Sequence, residues 1–299
     1  MAADAEVGAV VLEATDVVKT YGATRALKGV NFAIHRGQVT TLFGENGAGK
    51  STLMKILSGV EQPTSGTLTL HGEPVAFADT VDARDKGISI IHQELSLAPN
   101  LTVRDNIFMG RELRGPTGVD YAEEARQSAA VLAELGEEID PLTLVSDLRL
   151  GQQQLVEIAR ALSVDARILI MDEPTSALSA SEVEVLFTVV RDLTARGVSI
   201  VYISHHLEEA LEITDHAVVL RDGSVTATAP AADIDLEWVV RAMVGEGFDL
   251  GPRPPGTSSA APRCPSRASS SPTRTSRAGT SSTGCRSRSA RARSSASTA

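Results

Sequence analysis

Aromatic residues make up only 3% of the 299 positions, and both cysteines, Cys264 and Cys285, lie beyond position 250. The first 250 residues therefore offer no disulfide and no thiolate metal site, which fits a reducing compartment. No stretch approaches the roughly 18 apolar residues of a membrane span. The opening MAADAEVGAVVLEATD has neither the basic start nor the apolar run of a secretion signal. Any membrane association is expected to run through a partner. Basic residues are scarce as well: nine of the 28 Lys and Arg lie beyond 250, so residues 1–250 set 19 against all 38 acids. That part carries −19, against −10 for the whole chain. A body so acidic argues against a surface for phosphate backbones, and no nucleic-acid partner is expected.

Residues 251–299 lack far more: they use only Gly, Pro, Arg, Thr, Ser, Ala and Cys, with no acid, Lys, Leu, Ile, Val or aromatic. Such a segment cannot make a core. It reads either as a solvated Ser/Arg/Pro-rich linker or as the product of a shifted reading frame. Serine codons of the TCN type, shifted by one base, become codons for Phe, Leu, Ile or Val. Under allowed codons, 286–298 re-reads as LSVRAGEVLGIY, which mirrors FAIHRGQVTTLF at 32–43. The nucleotide sequence across the tail decides between the two.

The body, by contrast, has a clear rhythm. Short apolar runs at 39–43, 88–91, 167–171, 199–203 and 217–220 alternate with helical stretches at 51–57, 180–196 and 207–212, which predicts a largely parallel sheet covered by helices. VVLEATDVVKTY and LKGVNFAIHRGQ read as strands of an antiparallel flank. The stretch from about 92 to 150 holds a helical run at 120–135 ended by Gly136, with turn signals at GPTG and Asp140-Pro141. It reads as a helical insertion.

Gly44–Thr52 spells GENGAGKST between the strand VTTLF and the helix LMKIL, the setting a phosphate loop requires. Glycines 44, 47 and 49 let successive N–H groups turn inward, and the helix adds its positive end. Lys50 would reach the outer phosphates and Ser51 would ligate Mg²⁺; Glu45, Asn46, Ala48 and Thr52 complete the loop. RILIMDE at 167–173 is a buried strand ending in two carboxylates. At the carboxyl end of such a strand, Asp172 falls beside the metal, held through water, and Glu173 beside the terminal phosphate, where it would polarise the attacking water.

These pieces occur with Gln93 in IIHQELSL, LRLGQQQLVEIARAL from Leu148, PTSALS after the acidic strand and VYISHH at the next strand end. In this order they resemble the nucleotide-binding domain of ABC transporters across nearly all of 10–245. The wording is most similar to the ATP-binding subunits of bacterial sugar importers of the ribose, xylose and galactose type, the first of their usual two ABC domains. The resemblance implies an α/β P-loop NTPase fold with a mixed sheet, an antiparallel flank and a helical subdomain, occupying 1–248 with 92–150 inserted. Residues 249–299 form the tail. It implies ATP hydrolysis with ATP and Mg²⁺, at the cytoplasmic face of the membrane.

The resemblance also assigns roles. Tyr21 would stack on the adenine, Gln93 would touch Mg²⁺ and the attacking water, and His205 would contact the γ-phosphate and orient the water of Glu173. His206 is left as a surface residue. Leu148, Arg149, Leu150, Gly151 and Gln152 occupy the place of the family's LSGGQ signature, which acts on the ATP of an opposing domain, with a helix starting near Gly151. Three departures stand out: Arg149 and Leu150 replace the usual Ser and Gly, and Ser179 replaces the usual Asp of SALD. The implied partners are membrane permease subunits docked near Gln93 and ELSLAPNLTVRDNIFMGRE, and a second ABC domain supplied by a homodimer or a missing tandem half. A solute-binding protein would act indirectly. A cargo other than sugar (a nucleoside, autoinducer or lipid) stays open, because cargo never touches this subunit. A non-transport ABC ATPase is disfavoured by the charge of −19 and the short insertion.

Overall fold

A computed structural model describes residues 8–116 and 118–245. The tail beyond 248 lies outside the described residues, and with it Cys264 and Cys285. The first element, β1 (Val10–Tyr21), pairs antiparallel with β2 (Thr24–His35). After β3 (Val39–Phe43) and α1 (Lys50–Leu57), the chain returns through β4 (Ser65–Leu70) and β5 (Glu73–Val75) to complete a four-stranded antiparallel sheet, ordered β2-β1-β4-β5. The expected flank is thus twice as wide as VVLEATDVVKTY and LKGVNFAIHRGQ suggested. Its other two strands are short and mostly exposed, so they carry little apolar signal.

Helix α2 (Thr80–Asp85) leads into β6 (Ile88–Ile91), and the inserted segment follows. It holds α3 (Val103–Phe108), a two-stranded hairpin of β7 (Arg114–Gly115) and β8 (Gly118–Val119), α4 (Tyr121–Glu134), and the start of α5 (Leu150–Leu162). Asp120 caps α4 by accepting from the Glu123 N–H, which is why the helical run begins where the sequence indicates. Thr102 and Asp105 close a capping box on α3.

The remaining elements are β9 (Ile168–Asp172), α6 (Ala180–Ala195), β10 (Ser199–Ile203), α7 (Leu207–Leu211), β11 (His216–Arg221), β12 (Ser224–Pro230) and α8 (Leu236–Val244). The second sheet runs β12-β11-β3-β10-β9-β6, all parallel except β12. Its inner strands are covered on both sides and read as continuous apolar runs. Side chains alternate between two cores. Leu42, Ile168, Ile170, Val201, Ile203, Val218 and Leu220 pack with α1 and the antiparallel sheet. Phe43, Leu169, Met171, Ile200, Tyr202 and Val219 pack with α5 and α6. No helix among the described residues is long and apolar enough to cross a membrane.

Candidate functional site

Strand register assembles the site. Ile203 lies opposite both Leu42 and Asp172, and Ile91 opposite Met171, so β3, β6, β9 and β10 end at one edge of the sheet. The residues that follow them, 44–49, 92–93, 173 and 204–205, must therefore meet there. Beside them opens a cavity of about 250 Å³ with Asn46, Gly47, Lys50, Ser51, Thr52, Gln93, Asp172 and Glu173 on its wall.

The loop owes its shape to glycine. Gly44, Gly47 and Gly49 have φ of +154°, +84° and +108°, values that L residues rarely adopt. A Cβ on Gly44 would sit 2.4 Å from the Leu220 carbonyl oxygen. Helix α1 starts from left-handed Gly49 with no side-chain cap and no acid in its first turn, so its first N–H groups face the cavity without an internal anion. Lys50 folds back into the loop and donates from Nζ to the carbonyl oxygens of Gly44 (2.7 Å) and Glu45 (3.1 Å). Burial holds its ammonium below the usual lysine range, against the opposing pull of Glu173 and Asp172. Asp172 is pushed up by burial and then by the like charge of Glu173, with His92 and Lys50 opposing.

Glu173 has φ of +49°, a strained setting for a side-chain-bearing residue, of order 1 kcal/mol. Its N–H donates to the Ile203 carbonyl (2.9 Å), which fixes the turn. Its Oε2 accepts from Gln93 Nε2 (2.9 Å) and faces His205 Nδ1 at 3.2 Å. Gln93 keeps Oε1 for a cation, and His205 keeps Nε2 for a ligand.

Among the described residues no three His, Cys, Asp or Glu side chains form a metal cage. Ser51, Gln93 and Asp172 offer a hydroxyl, an amide oxygen and one carboxylate. That sparse oxygen set fits a magnesium ion completed by water and phosphate oxygens.

Tyr21 ends β1 with its ring 43% exposed; its hydroxyl bonds Glu61, and Lys19 Nζ lies 5.1 Å from the ring centroid. Burial and then Glu61 raise its pKa, with Thr52 opposing. His205 and His206 are both exposed, with ring centroids 4.1 Å apart.

The signature segment lies elsewhere. None of residues 148–152 lines the cavity around Lys50; Arg149, Gly151 and Gln152 line a separate one of about 320 Å³. Helix α5 starts at Leu150, one residue before Gly151, with Arg149 as its N-cap. Two residues at these sites went unrecognised in the sequence: His92 beside Asp172, and Glu182, which bonds the Gly151 N–H. The spacing Ser179-x-x-Glu182 ahead of an apolar run is a capping-box signal and was there to be read.

A family model described as ABC transporter matches residues 27–176, half of the chain. The chain belongs to the ABC transporter family. The match spans the phosphate loop, Gln93, the signature segment and the acidic strand. A ribose import ATP-binding protein of Rhodopirellula baltica is 54% identical over 237 residues, 79% of this chain and 46% of that protein. A putative ribose/galactose/methyl galactoside import ATP-binding protein of Burkholderia cenocepacia is 48% identical over 247 residues, 82% and 48% of the two chains. The chain thus spans about half the length of these relatives. The cassette fold is matched by a nucleotide-free ATP-binding cassette from an ABC transporter, with a TM-score of 0.70 at 25% identity, over 80% of this chain and all of that one. A second cassette, in its ADP conformation, matches with a TM-score of 0.69.

Proposed function

We propose that residues 1–248 are an ATP-hydrolysing cassette that powers carbohydrate import, working as one of a pair beneath membrane permease subunits. The observation that carries this reading is the single carboxylate oxygen of Glu173 that receives both Gln93 and His205 beside the phosphate loop. In it, the N–H groups of 44–52 and the first turn of α1 hold the phosphates of ATP, and Lys50 leaves its loop carbonyls for the outer phosphates. Ser51, Gln93 and, through water, Asp172 hold Mg²⁺, which supplies charge neutralisation at the phosphate oxygens. Glu173 accepts a proton from the attacking water, while His205 orients that water and meets the γ-phosphate. Tyr21 offers its free face to the adenine.

The second half of each site comes from an opposing cassette, whose residues 148–152 direct the first turn of α5 to the γ-phosphate. That opposing cassette is a second copy of this chain or a separate domain. Closure on ATP and reopening after hydrolysis would drive the permease between its two states. Sugar as the cargo rests on kinship with ribose and galactose import ATP-binding proteins, and a solute-binding protein would deliver it. Docking at the cytoplasmic face through 94–112 follows from the same kinship, as does the inserted subdomain at 92–150.

Glu173→Gln tests the core of this reading. Turnover should fall by about 10²- to 10⁴-fold, the usual contribution of a general base, while ATP binding is retained. Unchanged turnover in steady-state ATPase assays would remove Glu173 from catalysis. Co-purification with the permease encoded nearby, and a sugar-binding screen of its solute-binding protein, test the cargo.

A further inference from the structure

Helix α5 begins next to α6, and one carboxylate joins their ends. Glu182 Oε1 accepts from the Gly151 N–H in the first turn of α5 (3.1 Å), while Oε2 accepts from the Ser179 N–H (2.9 Å) and Oγ (2.7 Å) at the cap of α6. Gly151 makes room for it: a Cβ there would lie 2.8 Å from Oε1 and 2.9 Å from Cγ of Glu182. The bonds from Ser179 and then Gly151 lower the pKa of Glu182, and Arg149, the N-cap of α5, adds to them, so its charge is felt at the same carboxylate. Arg149 and Glu182 also share the wall of the 320 Å³ cavity. Two of the three departures from the signature and SALD patterns, Arg149 and Ser179, are therefore neighbours of one acid.

We propose that Glu182 is a positioning residue that occupies the first-turn donor of α5 in the separated cassette and gives it up when the ATP of an opposing cassette arrives. This rests on the reading that residues 148–152 serve an ATP site in trans. The physical reason is that a helix N-terminus favours one anion at its first N–H groups, and a carboxylate 3 Å from the Gly151 nitrogen competes with a phosphate for the same donor. Like charges brought together there oppose closure. Arg149 then has its charge set against Glu182 before closure, and its planar fork of donors is free to take phosphate after it. Glu182 thereby sets how much ATP is needed to close the pair, without touching the reacting atoms.

Two variants separate this role from simple helix capping. Glu182→Gln keeps the length and removes the charge. Glu182→Asp keeps the charge and the α6 cap, because an aspartate closes the same box on α3 at Thr102 and Asp105; being one methylene shorter, it withdraws from Gly151. Each is made in the full chain carrying Glu173→Gln, and dimer formation is followed by sedimentation velocity across ATP concentrations, with thermal melts alongside. Both variants should reach half-dimer at about three- to tenfold less ATP than the parent, the scale of one like-charge contact. Glu182→Asp should do so with its melting temperature unchanged. An ATP half-point that stays put or rises in both variants, whatever the melts do, overturns the inference and leaves a structural cap. A parent that forms no dimer at any ATP concentration overturns the reading in trans and the inference with it.

Discussion

The amino ends of α1 and α5 offer the same kind of free N–H donors in opposite surroundings. At α1 a left-handed glycine precedes the helix, no acid lies in the first turn, and a lysine is folded into the adjoining loop. At α5 an arginine occupies the N-cap position and a carboxylate from α6 takes up a first-turn donor. Each end carries the same partial positive charge. The difference teaches that an anion site is defined by what has been kept away from it as much as by its own donors. One end is held open within the chain, and the other is held shut by it.

The largest test of that contrast is Lys50→Ala. Losing a charge-assisted contact to phosphate should weaken ATP binding about 100-fold, as measured by calorimetric titration. The variant should fold as well as the parent, because the ammonium is disfavoured by burial. Retained affinity would mean that the open end of α1 suffices alone.

Two glycines sharpen the comparison further. At Gly44 an added Cβ meets the backbone oxygen of Leu220, and φ is +154°. Gly44→Ala should cost about 2–4 kcal/mol of stability, read by urea unfolding. At Gly151 the obstacle is a flexible Glu side chain and no positive φ is involved. Gly151→Ala should therefore cost under about 1 kcal/mol, and equal losses at the two sites would erase the distinction.

Asp172 gives a small effect on stability and the one tied to pH. Its folded pKa is raised by burial and by Glu173, so the native state binds a proton more tightly than the unfolded chain does. Stability is then fully retained below the unfolded pKa and declines as pH rises through the folded one. Asp172→Asn should raise the melting temperature at neutral pH by about 2–4 °C while abolishing ATPase activity. That gain should disappear in acid; a gain that persists there would assign it to something other than the charge.

Much of this was legible in the chain. The phosphate loop and the acidic strand announce themselves because their chemistry needs fixed residue types at fixed spacing, and β3, β9 and β10 because strands buried on both faces are apolar throughout. The strands β4 and β5 were not legible, since SGTLTL and EPV are short and half-exposed and β1, the partner of β4, lies some 50 residues away. The convergence of Gln93, Glu173 and His205 depends on parallel register across three strands. The motifs could be named one by one, but distances between them belong to the sheet. Glu182 was hidden for another reason: capping boxes are common, and only the approach of α5 gives this one a second partner.

Strand β3 sits between β11 and β10, and it hydrogen-bonds to no other strand in its sheet. Its neighbours are made some 160 to 180 residues later along the chain. During synthesis the phosphate loop is thus among the early segments to emerge and among the last to be set, because Gly44 rests against Leu220. Long-range pairing of this kind is slow to form. Until β11 is in hand, the ribosome-bound chain carries the nucleotide motif in full and cannot yet shape it, so nucleotide capture dates the completion of the fold.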